Sequence, residues 1–195
     1  KIENFEITNL DSIFLEAAKY IYRYTDPLTL AAYYFSNKHY DNSLETIRYY
    51  LQNDSPEDTC FVYNLWGMIL YHQNKSDDAI DKYKKALEIK SQFVPAYLNW
   101  GLTLYFQKKY EESIEKYKEI ININKKFTYA YFYWGLALHD QAKYDEAIKK
   151  YKMAIEIDPQ FVPAYNYWGV VLRTQRNYEG AIEKFKKAIE IDPQY

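Results

Sequence analysis

The dipeptide Trp-Gly recurs at Trp66-Gly67, Trp100-Gly101, Trp134-Gly135 and Trp168-Gly169, each time 34 residues after the last and with no insertion. Self-similarity at a fixed period of this length marks a stack of like supersecondary units, each burying its apolar face against its neighbours. Other positions keep the same phase. Tyr63, Tyr97, Tyr131 and Tyr165 stand three residues before each Trp. Twelve residues after each Gly comes a small residue, Ala79, Ser113, Ala147 or Ala181, and four further on an aromatic one, Tyr83, Tyr117, Tyr151 or Phe185. The units are therefore 60–93, 94–127, 128–161 and 162–195.

Each unit reads as two helices. In the third, Tyr131, Trp134, Gly135 and Leu138 fall at i, i+3, i+4 and i+7, one face of a helix of period 3.6. Ala147, Ile148, Tyr151, Ala154 and Ile155 repeat that logic in the second helix. Pro95 and Pro163 stand where a first turn tolerates proline. Asp158-Pro159 and Asp192-Pro193 close second helices, since proline cannot continue them. A glycine facing an alanine across the hairpin is expected to let the two backbones approach closely. Acid–lysine pairs at i, i+4 (Asp78–Lys82, Asp81–Lys85, Asp145–Lys149, Glu146–Lys150 and Glu183–Lys187) are expected to mark a solvated outer face. Lysine rows at 82, 116, 150, 184 and at 84, 118, 152, 186 are assigned to that same face, where acidic neighbours balance them. Nucleic acid is therefore not expected as a partner, because a phosphate footprint needs an unbalanced field.

Upstream the pattern weakens. Residues 24–57 read as a degenerate unit in which Ala31 replaces Gly and Tyr40, Ser43 and Ile47 follow. Asn53-Asp54-Ser55-Pro56 breaks it, and two extra residues, Asp58 and Thr59, disturb the phase. In residues 1–23, Ile13, Phe14, Ala17, Ala18 and Ile21 form an amphipathic helical segment, a cap or part of another repeat. The expected organisation is one continuous solenoid domain. A first residue other than Met, and a last residue at a repeat boundary, suggest a fragment of a longer protein.

Composition narrows the function. Hydrophobic residues make up 48% of the chain, enough for a core, and 24 tyrosines raise the aromatic share to 19%. Net charge is only -2; residues 1–59 carry 5 basic and 10 acidic side chains, so the remainder is mildly basic. The single cysteine, Cys60, allows no intrachain disulfide. No apolar run approaches the 18 or so residues that span a bilayer, and the first residues lack a signal-peptide core. Membrane insertion is not expected, and a cytoplasmic location is. Of His39, His72 and His139, the last two lie near the ends of first helices two repeats apart, too far to share a metal. Cys60 has no base beside it, and four of the five glycines are spent on the repeat, leaving no phosphate-binding loop. Neither a cofactor nor catalysis is expected.

The repeated Tyr–Trp–Gly–small–aromatic pattern resembles the tetratricopeptide repeat family over residues 60–195. The resemblance implies an all-α solenoid, a right-handed superhelix of helical hairpins. First helices would line a concave groove, second helices would form the convex back, and most such proteins are protein-interaction scaffolds. The family usually has Gly in the hairpin turn, where this chain has Asn74, Lys108, Ala142 and Arg176. Lys, Ala and Arg are uncomfortable in a left-handed conformation, so the turns are expected to close differently.

First helices carry nearly two apolar stripes where a hairpin needs one: Phe61, Leu65, Met68 and Tyr71, then Leu98, Leu102, Tyr105 and Phe106. Tyr129, Phe132, Tyr133 and Leu136 follow, then Tyr167 and Val170. Stacking on the next repeat accounts for part of the surplus. The family resemblance places these positions mainly on the groove. The expected peptide-binding residues are Asn64, Leu65, Met68, Leu98, Asn99, Leu102, Phe132, Tyr133, Leu136, Asn166, Tyr167 and Val170. Leu98, Leu102, Phe132 and Leu136 are placed at the centre, and Asp140 and Arg173 near the rim. The family's two-carboxylate clamp for chaperone C-termini uses Lys, Asn, Asn, Lys and Arg. Those positions hold Asn64, Met68, Asn99, Tyr129 and Tyr133, or one repeat later Leu98, Leu102, Tyr133, Pro163 and Tyr167. Only Asn99 matches, so that function is not carried over. The expected function is binding an apolar peptide or helix of a partner protein. The alternatives are self-association into an oligomer, or service as the targeting arm of an enzyme whose catalytic domain lies elsewhere.

Overall fold

Apolar residues at helical spacing and prolines kept to first turns and helix ends dictate helices, and helices are what form. The computed structural model describes residues 26–53 and 59–194; the amphipathic segment expected at Ile13–Ile21 lies outside them. Among the described residues there are ten α-helices and no strand. The chain divides into two compact units, 1–91 and 92–195.

The first unit holds α1 (Pro27–Ser36), α2 (Tyr40–Asn53), α3 (Thr59–His72) and α4 (Ser76–Ile89), paired as hairpins α1–α2 and α3–α4. Pro27 opens α1 behind the N-cap Asp26, whose carboxylate accepts the Thr29 amide hydrogen at 3.1 Å. Ala31, Leu44, Ile47, Val62, Leu65 and Ile69 form one core cluster.

The second unit holds three hairpins: α5 (Val94–Phe106) with α6 (Tyr110–Ile123), α7 (Thr128–Asp140) with α8 (Tyr144–Ile157), and α9 (Val162–Thr174) with α10 (Tyr178–Ile191). Within this unit α7 also packs on α6, and α9 on α8. The main core cluster is centred on Tyr151, Phe132, Leu136 and Phe161; a smaller one holds Tyr117, Ile120 and Ala130.

The aromatic residue meets the glycine most closely, beside the expected contact with the small residue. A Cβ built on Gly135 would lie 2.7 Å from Tyr151 Cδ1 and closer still to Cε1, and Tyr151 is fully buried. Gly67 meets Tyr83, Gly101 meets Tyr117, and Gly169 meets Phe185 in the same way. The small residue lies against the glycine's backbone: Ser113 Oγ donates to the Gly101 carbonyl at 2.9 Å. Ser43 Oγ makes the equivalent bond to the Ala31 carbonyl at 2.7 Å. The degenerate unit thus keeps the contact but exchanges both partners, alanine for glycine and the slimmer Ile47 for the aromatic ring.

The hairpin turns also depart from expectation. Asn74, Lys108, Ala142 and Arg176 all adopt left-handed φ values, 61°, 62°, 59° and 64°, as does Lys38 at 61°. The compensation is hydrogen bonding that closes each first helix: Lys75, Lys109, Lys143 and Asn177 donate their amide hydrogens, each at 2.9 Å, to the carbonyls of Leu70, Leu104, Leu138 and Leu172. A side chain in this region costs about 1–2 kcal/mol, against a glycine entropy cost of about 0.5–1 kcal/mol. Ala142→Gly is therefore expected to stabilise the second unit by up to about 1 kcal/mol, and Asn74→Gly to do less, since asparagine tolerates the conformation. Urea melting reads this directly; an Ala142→Gly variant that melts below the parent contradicts it.

Candidate functional site

On the second helices six of the eight row lysines lie over tryptophan rings, while Lys84 and Lys186 are exposed. Lys82 Nζ lies 4.1 Å from the Trp66 ring centroid. In the second unit Lys116 lies 4.1 Å from Trp100, Lys150 3.5 Å from Trp134 and Lys184 4.3 Å from Trp168. Lys118 and Lys152 reach the same rings, Trp134 and Trp168, from the preceding repeat, at 5.5 and 5.0 Å. Burial, aided by Lys118, pulls the Lys150 ammonium below the usual lysine range. An ammonium over an indole gains about 0.5–1 kcal/mol where exposed and more where desolvated. None of the five expected i, i+4 pairs closes to ion-pair distance. Asp81 pairs with Lys84 at 3.2 Å, and Glu183 with its neighbour Lys184 at 2.6 Å. In the first unit a cavity of about 260 Å³ opens beside Trp66 and Lys82, with Arg48, Asp78 and Asp81 also in its lining.

The first helices present the expected binding residues in three situations. Phe132 and Leu136 are buried in the second unit, 7% and 8% exposed. Phe132 packs edge-on against Phe161 at 5.4 Å and Tyr167 at 5.5 Å, and lies 6.1 Å from Tyr151, filling the space between adjoining hairpins. Leu98, Asn99, Leu102, Tyr133, Asn166, Tyr167 and Val170 are half-buried in that unit. Leu98 and Tyr133 both border the Tyr117–Ile120–Ala130 cluster. Tyr133 stacks on Tyr117 at 5.9 Å and on the exposed Tyr129 at 6.3 Å. In the first unit Leu65 is core, Asn64 is buried with its amide 3.7 Å from Met68 Sδ, and Met68 is half-buried.

A polar cluster lies among these aromatic rings. Tyr105 Oη donates to Asp140 Oδ2 at 2.6 Å, joining α5 to α7 across one repeat. The other oxygen of Asp140 lies 3.0 Å from His139 Nδ1. Tyr151 Oη is buried with no hydrogen-bond partner among the described residues. Burial, and then the neighbouring Tyr167, Asp140 and Tyr105, push the Tyr151 phenol far above its ordinary range. Burial and the Asp140 hydrogen bond do the same to Tyr105. Sequence reasoning counted Tyr105 as apolar and Asp140 as a separate rim residue; nothing in the repeat period signals their pairing.

His72 stacks on Tyr40 at 5.9 Å and packs against Phe35. Cys60 is buried. Among the described residues no group of His, Cys, Asp and Glu is placed to hold a metal ion, and no helix is long and apolar enough to cross a membrane.

Sequence patterns of known families settle the class of the repeat. The pattern described as TPR repeat matches residues 67–108 and 135–175, and two described as tetratricopeptide repeat match 94–127 and 162–195. The chain belongs to the tetratricopeptide repeat family. Its fold is an all-α tetratricopeptide solenoid, and solved structures share it. A crystal structure of MamA has 22% identity and a TM-score of 0.71 over 84% of this chain and 95% of its own. MamA from Desulfovibrio magneticus RS-1, residue 41 to its end, has 16% identity and a TM-score of 0.72 over 87% and 97%. YrrB, described as a TPR protein with an unusual peptide-binding site, has 22% identity and a TM-score of 0.65 over 93% of each chain. No curated protein matches the sequence. At these identities the tetratricopeptide structures speak for the fold alone, and the site must be argued from this chain's own residues.

Proposed function

We propose that the protein is a non-catalytic interaction scaffold that binds an apolar segment of a partner protein on the first helices of residues 92–195. The observation that carries this is the surplus of apolar surface there. Phe132 and Leu136 satisfy the packing between hairpins, yet Leu98, Leu102, Tyr133, Tyr167 and Val170 remain half-buried, and Tyr129 is 49% exposed. A helix or extended segment with two or three apolar anchors suits such a surface, with Asn99 and Asn166 as polar handles for its backbone. YrrB, a structural neighbour, is described as peptide-binding, which agrees with the proposal.

Self-association is the second reading, and a specific observation favours it. Tyr178, Ile182 and Ile189 on α10 are 60%, 52% and 54% exposed. The equivalent Ile148 and Ile155 of α8 pack against the core cluster. A second copy, or chain continuing past residue 195, seated on α10 would cover that stripe.

Selection of a displayed random-peptide library on the protein separates the two. Enriched peptides are expected to carry two or three apolar anchors and to bind with a Kd of about 1 μM, the range that modest anchor burial reaches after ordering costs. Leu98→Lys and Val170→Lys should each weaken them roughly tenfold or more while far-UV circular dichroism stays unchanged, because a lysine there loses hydration without a counter-charge. No enrichment, with light scattering that rises with concentration and falls back in Ile182→Lys, would replace this reading with self-association.

A further inference from the structure

We infer that the cavity beside Trp66 in the first unit binds a small carboxylic acid with an apolar body, an aryl or branched-alkyl acid. The inference is independent of the peptide-binding reading, which concerns residues 92–195.

The cavity, about 260 Å³, lies where α2, α3 and α4 meet. Leu44 and Leu70, both buried, and the half-buried Trp66 give it an apolar lining. Arg48 of α2 lines it too, and the repeat shows what is unusual there. Arg48 stands as far from Tyr40, the first residue of α2, as Lys118 stands from Tyr110 of α6 and Lys152 from Tyr144 of α8. Those two lysines reach over the tryptophan of the following hairpin, Trp134 and Trp168, at 5.5 and 5.0 Å. Arg48 keeps the cation but not the contact. It has no ring or ion-pair partner among the described residues, and Trp66 borders a cavity instead. The departure coincides with the two extra residues, Asp58 and Thr59, that break the phase of the array.

Charge and size decide what fits. Three cations, Arg48, Lys75 and Lys82, and two acids, Asp78 and Asp81, line the cavity, which leaves one net positive charge. Lys82 is held over Trp66 at 4.1 Å, and Asp81 pairs with Lys84 at 3.2 Å. The Arg48 guanidinium is therefore available to a ligand, and its planar fork matches a carboxylate through two parallel hydrogen bonds. A monoanion brings the lining to neutrality, whereas a dianion would set its second charge against Asp78. Arg48 is exposed, so its attraction is modest, and the apolar lining must supply the rest of the affinity. A cavity of about 150 Å³ takes a benzene ring, so one of about 260 Å³ has room for roughly ten non-hydrogen atoms. That is a ring or branched chain with a short acid arm.

The test uses the whole protein with its indoles labelled with nitrogen-15 for NMR, the Trp66 signal being assigned through Trp66→Phe. The probes are 3-phenylpropionate, its uncharged amide, and acetate, which keeps the charge without the ring. Phenylpropionate is expected to bind with a Kd in the millimolar range open to so small a ligand, and to shift the Trp66 signal most. The amide and acetate should each bind roughly fivefold more weakly or worse, the scale of one exposed charge pair in the first case and of the lost ring contact in the second. Arg48→Gln, a change at an exposed side chain, should bring the acid down to the level of its amide while far-UV circular dichroism stays unchanged. Equal binding of acid and amide, equal binding of acetate and phenylpropionate, or no shift at Trp66 would overturn the inference. So would shifts centred on Trp100, Trp134 or Trp168, or a preference for the acid that survives Arg48→Gln. The comparison of probes is made on the parent protein, so it does not depend on how a variant folds.

Discussion

Gly135→Leu is expected to unfold the central hairpin of the second unit, and the smaller step Gly135→Ala to cost about 1–3 kcal/mol through overpacking. Two effects compete in the alanine variant. Alanine is favoured over glycine inside a helix by about 1 kcal/mol. Against this, its Cβ would lie 2.7 Å from Tyr151 Cδ1, and a ring with no exposed surface has nowhere to go. Gly169 supplies the contrast. Its opposing ring, Phe185, is half-buried on α10, where it can swing outward. There the steric cost falls towards the gain in helix propensity, and Gly169→Ala should come out near neutral. The degenerate unit shows the remedy, since it combines Ala31 with Ile47 in one core cluster. Gly135→Ala with Tyr151→Ile should therefore be more stable than the two single variants predict by addition, with a coupling of about 1 kcal/mol or more. Urea melts of the four proteins close the cycle. A Gly135→Ala variant as stable as its parent, or a cycle without coupling, would show that the ring does not confine this position.

The repeat was legible because a period of 34 residues leaves the same residue types at Trp66, Trp100, Trp134 and Trp168, and the helices followed from apolar spacing alone. What periodicity cannot carry is which neighbour a side chain meets. Gly135 and Ala147 mark the hairpin crossing in sequence, but only the packing shows that the space left by Gly135 is filled by Tyr151. The lysine rows read as solvated because Glu and Asp stand beside them; the indole rings that hold Lys116, Lys150 and Lys184 lie on the other helix of the hairpin. The turn residues misled in another way. A left-handed Lys108 or Ala142 is a local cost that the closing hydrogen bonds outweigh, and bonds of that kind have no sequence signature. The pairing of Tyr105 with Asp140 spans 35 residues and occurs in one repeat register only, so no repeat position announced it.

The proposed binding surface met the same limit, and Phe132 is the place to test it. Phe132 and Leu98 look alike in sequence, both being surplus apolar residues on first helices. Phe132 is buried against Phe161, Tyr167 and Tyr151, whereas Leu98 is half-buried at the edge of a smaller cluster. Removing a buried phenylalanine ring costs about 3–5 kcal/mol, and forcing a lysine ammonium into the same space adds a desolvation penalty. Against a total stability of about 5–15 kcal/mol for an ordinary domain, Phe132→Lys is expected to unfold much of the second unit. Because contacts in a repeat array run between neighbours, the loss should spread from α7–α8 into α9–α10. Leu98→Lys should keep its helices and lose only the bound peptide. Far-UV circular dichroism with thermal melting distinguishes the two variants before any binding is measured. If Phe132→Lys melted within about 1 kcal/mol of the parent, the ring would be a surface residue after all, and it would rejoin Leu98 at the centre of the binding face.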